Sequence, residues 1–469
     1  MKKTIFTLCA AVALTTTGCD DILDIDNPTN ALSADATYST AEGIRAAETG
    51  LYTGNYHNNQ LYYQALDLYF PMLSDEMNHR LTSWAEYYQN TYNTSNSTIQ
   101  NLWYYPYFSI YQSNDFIGHI EGSTLLDEAT RRAYEGEARF FRAYSYLFLV
   151  SSFGDVPLIL TSDYKEAAKQ PRTDKAEVWR QIIVDLTTAE EYLTGFKNPK
   201  TRITADAATA LLARAYLYTG QWAEAAANAS RLIPVADGGD GVGGYQLESV
   251  DRVFRANSRE AINQFNCEGF TGSNTYIGYT RIGALWVPSG KTVTYRLTDT
   301  LVADLKAEAG DARTHWIDSV VSGSATYYYP AKYRNNDTPA SSDENEYYVF
   351  QRLAELYLIR AEANAQLDNL TAAAADLNRI RQRASLPPLA EGLTKEQLLT
   401  AVENERRKEL FCEQGHRWFD LSRTGRADAV YEALGYKKWS SHKRLLPVPE
   451  KEILNNHNLT QNSGYDVIR

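Results

Sequence analysis

Three glutamates recur at four-residue intervals late in the chain, at Glu405, Glu409 and Glu413. This spacing predicts that the three carboxylates share one face of a helix. Paired carboxylates carry out general acid–base chemistry in glycoside hydrolases, so the row is a candidate catalytic group.

Basic residues lie among and after these glutamates, which favours a structural interpretation. The basic residues are Arg406, Arg407, Lys408, Arg417 and Arg423, with Asp420 between the last two. Carboxylates interleaved with basic side chains are typical of ion-pair networks on helices. We therefore expect a network and predict no catalytic residue in this segment.

Other catalytic patterns are weak. The seven histidines show no metal-ligand spacing, and GGDGVGG at 238–244 lacks the lysine of a phosphate-binding loop. We predict neither a metal nor a cofactor. A surface glycoside hydrolase stays open as an alternative, because glycosidase carboxylates leave little local sequence signature.

Aromatic residues are abundant, with 34 Tyr, 8 Trp and 15 Phe. A tyrosine offers an apolar ring face and a polar tip, which suits a sugar. Arg, Asn and Asp add planar donors and acceptors. Most of these rings are nevertheless expected to pack inside the protein.

Two segments combine rings with planar polar groups and are our candidate glycan-binding regions. The first spans 74–93 and contributes Asp75, Asn78, Arg80, Trp84, Tyr87 and Tyr88. The second spans 276–296 and contributes Tyr276, Tyr279, Arg281, Trp286 and Tyr295. For any single aromatic residue among them, a packing role is an equally good interpretation.

The periodicity of the chain predicts a mostly α fold. Apolar residues recur at helical spacing over 133–153 and 174–194, the latter with Asp174 as the expected N-cap. Two pairs of segments, 205–218 with 221–233 and 352–367 with 371–384, resemble tetratricopeptide helical hairpins, Ala-rich and joined by short turns.

The residue pattern changes over 234–346, where glycines and alternating polar and aromatic residues replace the helical period. Residues 298–309 are the one stretch of this segment that still suggests a helix. We predict an irregular, loop-rich insert with a few short strands. Irregular segments on a helical frame often carry binding function. A disordered insert is the alternative, but its aromatic residues disfavour it.

The N-terminus reads as a secretory signal peptide over residues 1–18, with Lys2 and Lys3 before a short apolar stretch. Small residues running into Cys19 resemble the lipobox of bacterial lipoproteins, which implies a lipid anchor on Cys19. An ordinary secreted protein with a chance cysteine is the alternative. Asp20 and Asp21 resemble an export signal to the outer face of the outer membrane.

The net charge of −12 becomes two units more negative when the signal lysines are removed. An acidic chain lacks the basic footprint of nucleic-acid binding, so we expect no nucleic-acid partner. Cys267 and Cys412 are too few for a disulfide framework and could form one bridge or two buried thiols.

Three segments resemble signatures of the SusD/RagB family of nutrient-binding lipoproteins. They are EGEARFFRAYSYLFLVSSFGDVPLIL at 135–160, ENERRKELFCEQGHRWFDLSRTGRAD at 403–428 and LLPVPEKEILNNHNLTQNSGY at 445–465. Cys19 followed by Leu23-Asp24-Ile25 resembles the start of the family's chains. These signals occur in the family's order from end to end.

The resemblance implies a SusD-like domain over 19–469: a helical frame over 30–233 and 347–430, the insert over 234–346 and a closing segment over 431–469. It implies a non-enzymatic lipoprotein on the exterior of the outer membrane. Such a protein binds oligo- or polysaccharide and delivers it to a SusC-like TonB-dependent transporter. A member that binds peptides is the alternative, because fold does not settle ligand class.

Overall fold

The computed structural model describes residues 34–53, 66–234, 244–266 and 278–466. The chain divides into two compact units, residues 1–47 and 48–469, which we describe separately. The described part of the first unit holds helix α1 (Ala34–Tyr38) and the start of α2 (Ala41–Tyr52). The signal peptide, Cys19, Cys267 and Tyr276 lie outside the described residues.

The second unit is mostly helical, as the periodicity predicts. Before the insert it holds α3 (Phe70–Leu73), α4 (Ala85–Tyr88), α5 (Ser97–Ile120), α6 (Glu128–Phe153), α7 (Tyr164–Ala167), α8 (Lys175–Leu193), α9 (Ala205–Tyr218) and α10 (Trp222–Leu232). From the insert onward it holds α11 (Arg281–Trp286), α12 (Asp299–Lys306), α13 (Leu353–Gln366), α14 (Leu370–Arg383), α15 (Lys395–Leu410), α16 (His416–Arg423), α17 (Ala427–Ala433) and α18 (Glu450–Asn455).

Local sequence signals place these helix ends within a few residues. Asp174 caps α8 by accepting a hydrogen bond from the Ala176 amide, and Thr298 caps α12 through the Leu301 amide. Such caps satisfy amides that the first helical turn leaves without partners. The two predicted hairpins are α9 with α10 and α13 with α14, so the mostly α prediction is confirmed.

Alanines allow these hairpins to stack closely. Helix α9 packs on α10, α10 on α13 and α13 on α14. Ala213, Ala225, Ala229 and Ala361 are fully buried in the shared core. Each hairpin buries a face that it would expose alone, which explains the array. No helix in the described ranges is both long and apolar enough to cross a membrane.

Six short strands occur in the described part of the chain. They are β1 (Met77–His79), β2 (Ala261–Phe265), β3 (Tyr295–Leu297), β4 (Ile317–Ser322), β5 (Ala325–Pro330) and β6 (Tyr348–Arg352). They form antiparallel pairs, β1 with β3, β2 with β6 and β4 with β5. Two insert strands, β2 and β3, thus pair with strands outside 234–346. The described part of the insert is therefore tied to the helical frame.

Candidate functional site

The glutamate row lies inside the protein. Helix α15 carries Glu405 and Glu409 but ends at Leu410, so Glu413 follows in a turn and the expected single helix face is wrong for it. The turn contains Cys412, whose backbone φ is 53° and whose thiol is free and buried. Burial raises the pKa of this thiol. The turn nevertheless returns the Glu413 carboxylate toward the same cations.

Every carboxylate of the row has cationic partners. Glu405 accepts from Arg313 at 2.7 Å and from Arg381 at 2.8 Å. Glu409 accepts from Arg352 at 2.5 Å and pairs with Arg383. We call this group the charge cluster; its members are Glu260, Arg313, Lys332, Arg352, Arg381, Arg383, Glu405, Glu409 and Glu413.

Two carboxylates of the row, Glu409 and Glu413, are kept ionised by neighbouring cations despite burial. Burial alone would raise the pKa of Glu409, but the guanidinium groups of Arg383, Arg352 and Arg313 outweigh it and lower that pKa. Arg352 and Lys332 likewise lower the pKa of Glu413 against burial. A general acid needs a raised pKa and access to substrate. The row shows neither, so the predicted ion-pair network is confirmed.

Arg417, Asp420 and Arg423 form ion pairs of their own outside the charge cluster, so the expectation that they join the glutamate row is corrected. Asp420 accepts from Arg406 at 2.7 Å and from Arg423 at 2.9 Å. Arg417 instead donates to Asp75 from its Nε at 2.9 Å. Asp75 therefore links helix α16 to the first candidate region.

Asp75 is 2% exposed, so the expectation that it contacts a glycan at the surface is corrected. Burial would raise its pKa, but Arg407 and Arg417 outweigh that effect and hold it below the usual range. A carboxylate committed to two guanidinium groups cannot also bind sugar. Its role is to fix the start of the segment that carries Arg80 and Trp84.

Lys437 fastens both ends of the same segment. Its ammonium group donates to the Leu73 carbonyl at 2.9 Å and to the Tyr88 carbonyl at 3.0 Å. The Asn90 side chain accepts from it at 2.9 Å. Burial lowers the pKa of Lys437 to about 7. The closing segment thus sets the shape of residues 73–90, which sequence patterns gave no means to predict.

Pairing of β1 with β3 joins the two candidate regions. Asn78 lies opposite Arg296, and His79 lies opposite Tyr295. The Arg80 amide extends the pairing by donating to the Thr294 carbonyl at 2.8 Å. Because side chains alternate along strands, Asn78 and Arg296 share one face of this ribbon.

Trp84 is the centre of a group of rings. It lies nearly parallel to His79, with ring centroids 4.6 Å apart, and to Tyr69, at 5.7 Å. Tyr87 lies 5.5 Å away and Tyr295 meets it edge-on at 6.4 Å. Burial lowers the pKa of His79, whose Nδ1 accepts from the Leu81 amide at 3.0 Å. A neutral imidazole therefore lies against the indole.

Polar groups surround these rings. Trp84 and Tyr88 are half-buried, and Arg80 is exposed without an ion pair to any described residue. The Asn78 Oδ1 has no hydrogen-bond partner within the described ranges. We call this the ring-lined surface: Tyr69, Asn78, His79, Arg80, Trp84, Tyr87, Tyr88, Tyr295 and Arg296.

Trp286 is not part of that surface. It is 1% exposed and packs against Tyr333, with ring centroids 5.9 Å apart. It shares the inner face of α11 with Ile282, four residues earlier, which turns both inward. A buried indole cannot stack on a sugar at the surface, so this expectation is corrected.

The remaining candidate glycan-binding residues differ in their exposure to solvent. Tyr87 and Tyr295 are 7% and 8% exposed and contribute mainly by packing around Trp84. Tyr279 is half-buried and Arg281 is exposed at the start of α11. No ring contact or hydrogen bond between described residues links Tyr279 or Arg281 to Trp84, and their role in binding stays a prediction.

Sequence reasoning missed His79, Tyr69 and Arg296. Arg296 is half-buried, with its guanidinium carbon 3.7 Å from the centre of the Tyr327 ring. The alternation of Tyr295, Arg296 and Leu297 was a possible strand signal. Its pairing with 77–79 could not be read from either segment alone. Within the described residues, no group of three His, Cys, Asp or Glu side chains could hold a metal.

Two family models match this chain. Residues 21–217 match the model described as "Starch-binding associating with outer membrane", and residues 306–465 match the SusD family model. Together they cover most of the helical frame and the closing segment.

Relatives match this chain over its whole length or over part of it. A SusD-like protein P2 of Formosa agariphila is 28% identical over 99% of this chain and 100% of its own. The starch-binding protein SusD of Bacteroides thetaiotaomicron is 32% identical, but over 24% of this chain and 21% of its own.

Solved structures share the fold. A SusD homolog from Bacteroides thetaiotaomicron superposes with a TM-score of 0.76 at 20% identity, covering 92% of this chain and 99% of its own. A structure described as a laminarin binding SusD-like protein gives 0.74 at 23% identity, covering 91% and 100%. The chain therefore belongs to the SusD/RagB family.

Proposed function

We propose that this protein binds oligo- or polysaccharide at the ring-lined surface and delivers it to a SusC-like TonB-dependent transporter. In this proposal the lipid on Cys19 anchors it to the exterior of the outer membrane. The observation that carries the binding site is the pairing of β1 with β3, which joins two ring-rich segments around Trp84.

The chemistry of that surface fits a sugar. Trp84 offers apolar ring area that is only half-buried, which suits the C–H face of a pyranose. Arg80 provides planar donors at the surface, beside the half-buried rings of Trp84 and Tyr88. A few placed polar groups around apolar rings are typical of small-ligand sites.

The surface is also held in shape before any ligand arrives. Asp75 fixes its start through Arg407 and Arg417, and Lys437 fixes both of its ends. A site ordered in advance loses less conformational entropy on binding. This rigidity supports a binding role for the segment.

Relatives support the class of ligand and the location. One relative is named a starch-binding protein and one structure is described as laminarin binding. The family model that matches 21–217 is described as associating with the outer membrane. We extend these properties to this chain as part of the proposal.

Calorimetric titration of the purified protein with amylopectin and with laminarin tests the binding site. We expect saturable binding to one of them, and Trp84→Ala should weaken it at least about tenfold, or about 1.4 kcal/mol. Tyr164→Ala is the matched control, because Tyr164 is 72% exposed and lies on α7. Saturable binding of oligopeptides without any glycan binding would contradict the proposal.

Three further measurements test the remaining parts of the proposal. Cys19→Ala should move the protein from the membrane to the soluble fraction, and continued membrane attachment would contradict the anchor. Release of reducing ends from either polysaccharide by the purified protein would contradict a purely binding role. Co-purification with a TonB-dependent barrel from the native membrane tests delivery.

A further inference from the structure

Helix α5 presents a stripe of aromatic side chains to solvent. Tyr104, Phe108 and Tyr111 are 53%, 38% and 49% exposed. Their spacing of four and three residues places them on one face of the helix. The opposite face packs its apolar residues, including Trp103 and Ile110, against the frame. These three rings are therefore surplus to the core. We call them the α5 stripe.

Two rings of the stripe lie parallel to each other. Tyr104 and Phe108 lie nearly parallel, at 16°, with centroids 6.2 Å apart. Neither the Tyr104 nor the Tyr111 hydroxyl makes a hydrogen bond to any described residue. Exposed contiguous apolar area of this kind on a soluble protein marks an interaction site.

The helix that carries the stripe is polar but almost uncharged. Helix α5 contains no Lys, Arg or Glu, and Asp115 is its single carboxylate. The side chains of Gln100, Asn101 and Gln112 flank the stripe, and all three residues are half-buried. Rings bordered by neutral amides match an uncharged polyhydroxylated chain.

Helix α5 begins against the ring-lined surface. The Tyr87 hydroxyl is 2.7 Å from the Thr98 hydroxyl in the first turn of α5. The Tyr87 ring lies 5.5 Å from the Trp84 ring, on which Tyr69 stacks. Tyr105 meets Tyr104 at 5.4 Å. The rise of an α-helix places Tyr111 about 20 Å along α5 from Thr98.

We propose that the α5 stripe extends the binding site, so that a neutral polysaccharide chain occupies the ring-lined surface and the stripe together. This inference rests on the proposed function and sharpens its substrate class. Polymers that span both ring groups bind more tightly than short oligosaccharides of the same linkage. The gain in affinity comes from additional contacts between the same polysaccharide chain and the α5 stripe, while the contacts at Trp84 stay the same.

The test compares polymer and oligomer affinity in one variant. Tyr104→Ala, Phe108→Ala and Tyr111→Ala are combined, and calorimetry measures binding of laminarin against laminaritriose and of amylopectin against maltotriose. Polymer affinity should fall tenfold or more, while trisaccharide affinity stays within twofold of the unchanged protein. Phe108→Tyr alone should retain polymer affinity, because it keeps the ring.

Controls separate this inference from the proposed function. Leu160→Ala with Tyr164→Ala removes exposed apolar area outside the stripe and should leave polymer affinity unchanged. Thermal melting checks that the triple variant is folded, as expected for three exposed side chains.

The outcomes are distinct. If Trp84→Ala weakens polymer binding and the triple variant does not, the extension is wrong and the ring-lined surface stands. If neither weakens it, the proposed function fails as well. If the triple variant loses only self-association or transporter binding, the stripe is a protein interface and the inference is overturned.

Discussion

The charge cluster around Glu409 and the ring-lined surface around Trp84 lie at the two ends of one structural connection. Arg407 lies on the helix of Glu405 and Glu409 and pairs with Asp75, which starts the segment bearing Arg80 and Trp84. In the cluster, the charges are buried or mostly buried and each has an ionic partner. On the surface, the Arg80 cation is exposed and has no ion pair to a described residue.

The difference shows why residue type alone does not identify a binding site. Burial makes an unpaired charge very costly, so buried charges come with partners and have no capacity left for a ligand. A polar group that water can reach carries no such requirement. An exposed polar group such as Arg80 beside half-buried rings is therefore the better indicator of function here.

The largest expected effect on stability comes from a substitution that breaks the charge cluster. Arg352→Ala leaves three buried carboxylates, Glu260, Glu409 and Glu413, short of a cation. We expect the free energy of unfolding to fall by about 3–5 kcal/mol, measured by urea denaturation. The control Arg132→Ala breaks an exposed pair with Glu191 and should cost less than about 1 kcal/mol. Equal losses in the two variants would contradict the distinction.

The two tryptophans sharpen the comparison next. Trp286→Ala opens a cavity in the core and should lower stability by about 3–5 kcal/mol. The protein that remains folded should bind glycan with unchanged affinity. Trp84→Ala should do the reverse, with a small loss of stability and a large loss of affinity. Calorimetry and thermal melting of both variants check this; similar profiles would place both residues in the core.

A smaller effect is expected from removing the Lys437 hydrogen bonds that join the closing segment to residues 73–90. Lys437→Met leaves the Leu73 and Tyr88 carbonyls without their donor, which should cost about 1–3 kcal/mol. Glycan affinity should fall too, because residues 73–90 lose their common anchor. The control Lys443→Met touches only the Asn90 end and the Lys438 carbonyl, so it should weaken binding less. Unchanged affinity in Lys437→Met would show that residues 73–90 keep their conformation without the Lys437 hydrogen bonds.

The smallest effect is a pH dependence at Glu76, next to Asp75. Burial raises the pKa of Glu76 from 4.5 to about 8. Between these values the folded state holds a proton that the unfolded state releases, so the stability from Glu76 is complete below pH 4.5 and is lost as pH rises toward 8. Glu76→Gln should therefore match the unchanged protein at pH 4 and exceed it at pH 9 by at least about 1 kcal/mol.

Asp75→Asn should show a pH dependence of stability opposite to that of Glu76→Gln. The pKa of Asp75 is lowered in the folded state, so its stability is present above its unfolded pKa and is lost on acidification. The Asn variant should be less stable than the unchanged protein at neutral pH and approach it in strong acid. Thermal melting across the pH range checks both variants, and curves that run in parallel would contradict the assignments.

Several features followed from local sequence. The caps at Asp174 and Thr298 and the Ala-rich hairpins α9–α10 and α13–α14 depend on contacts a few residues apart. The alternation of acidic and basic residues around Glu409 indicated ion pairing before any partner was known. The candidate segment around Trp84 was identified because its rings and amides lie close together in the chain.

Other features depended on residues far apart in sequence. Whether Trp84 or Trp286 faces water is not visible in either segment, because both are aromatic residues flanked by polar ones. Asp75 resembled a ligand contact until Arg407 and Arg417 were placed beside it. The α5 stripe has a readable spacing, but its exposure depends on which face α6 covers.

The sequence by itself determined the helical frame, the hairpins, the irregular insert and the family. Those properties depend on periodicity, capping and motif, which act over short stretches of chain. Only the tertiary structure decided which rings reach solvent, which carboxylates are paired and that β1 meets β3. Burial and pairing are set by residues hundreds of positions apart, so they exist only once the chain has folded.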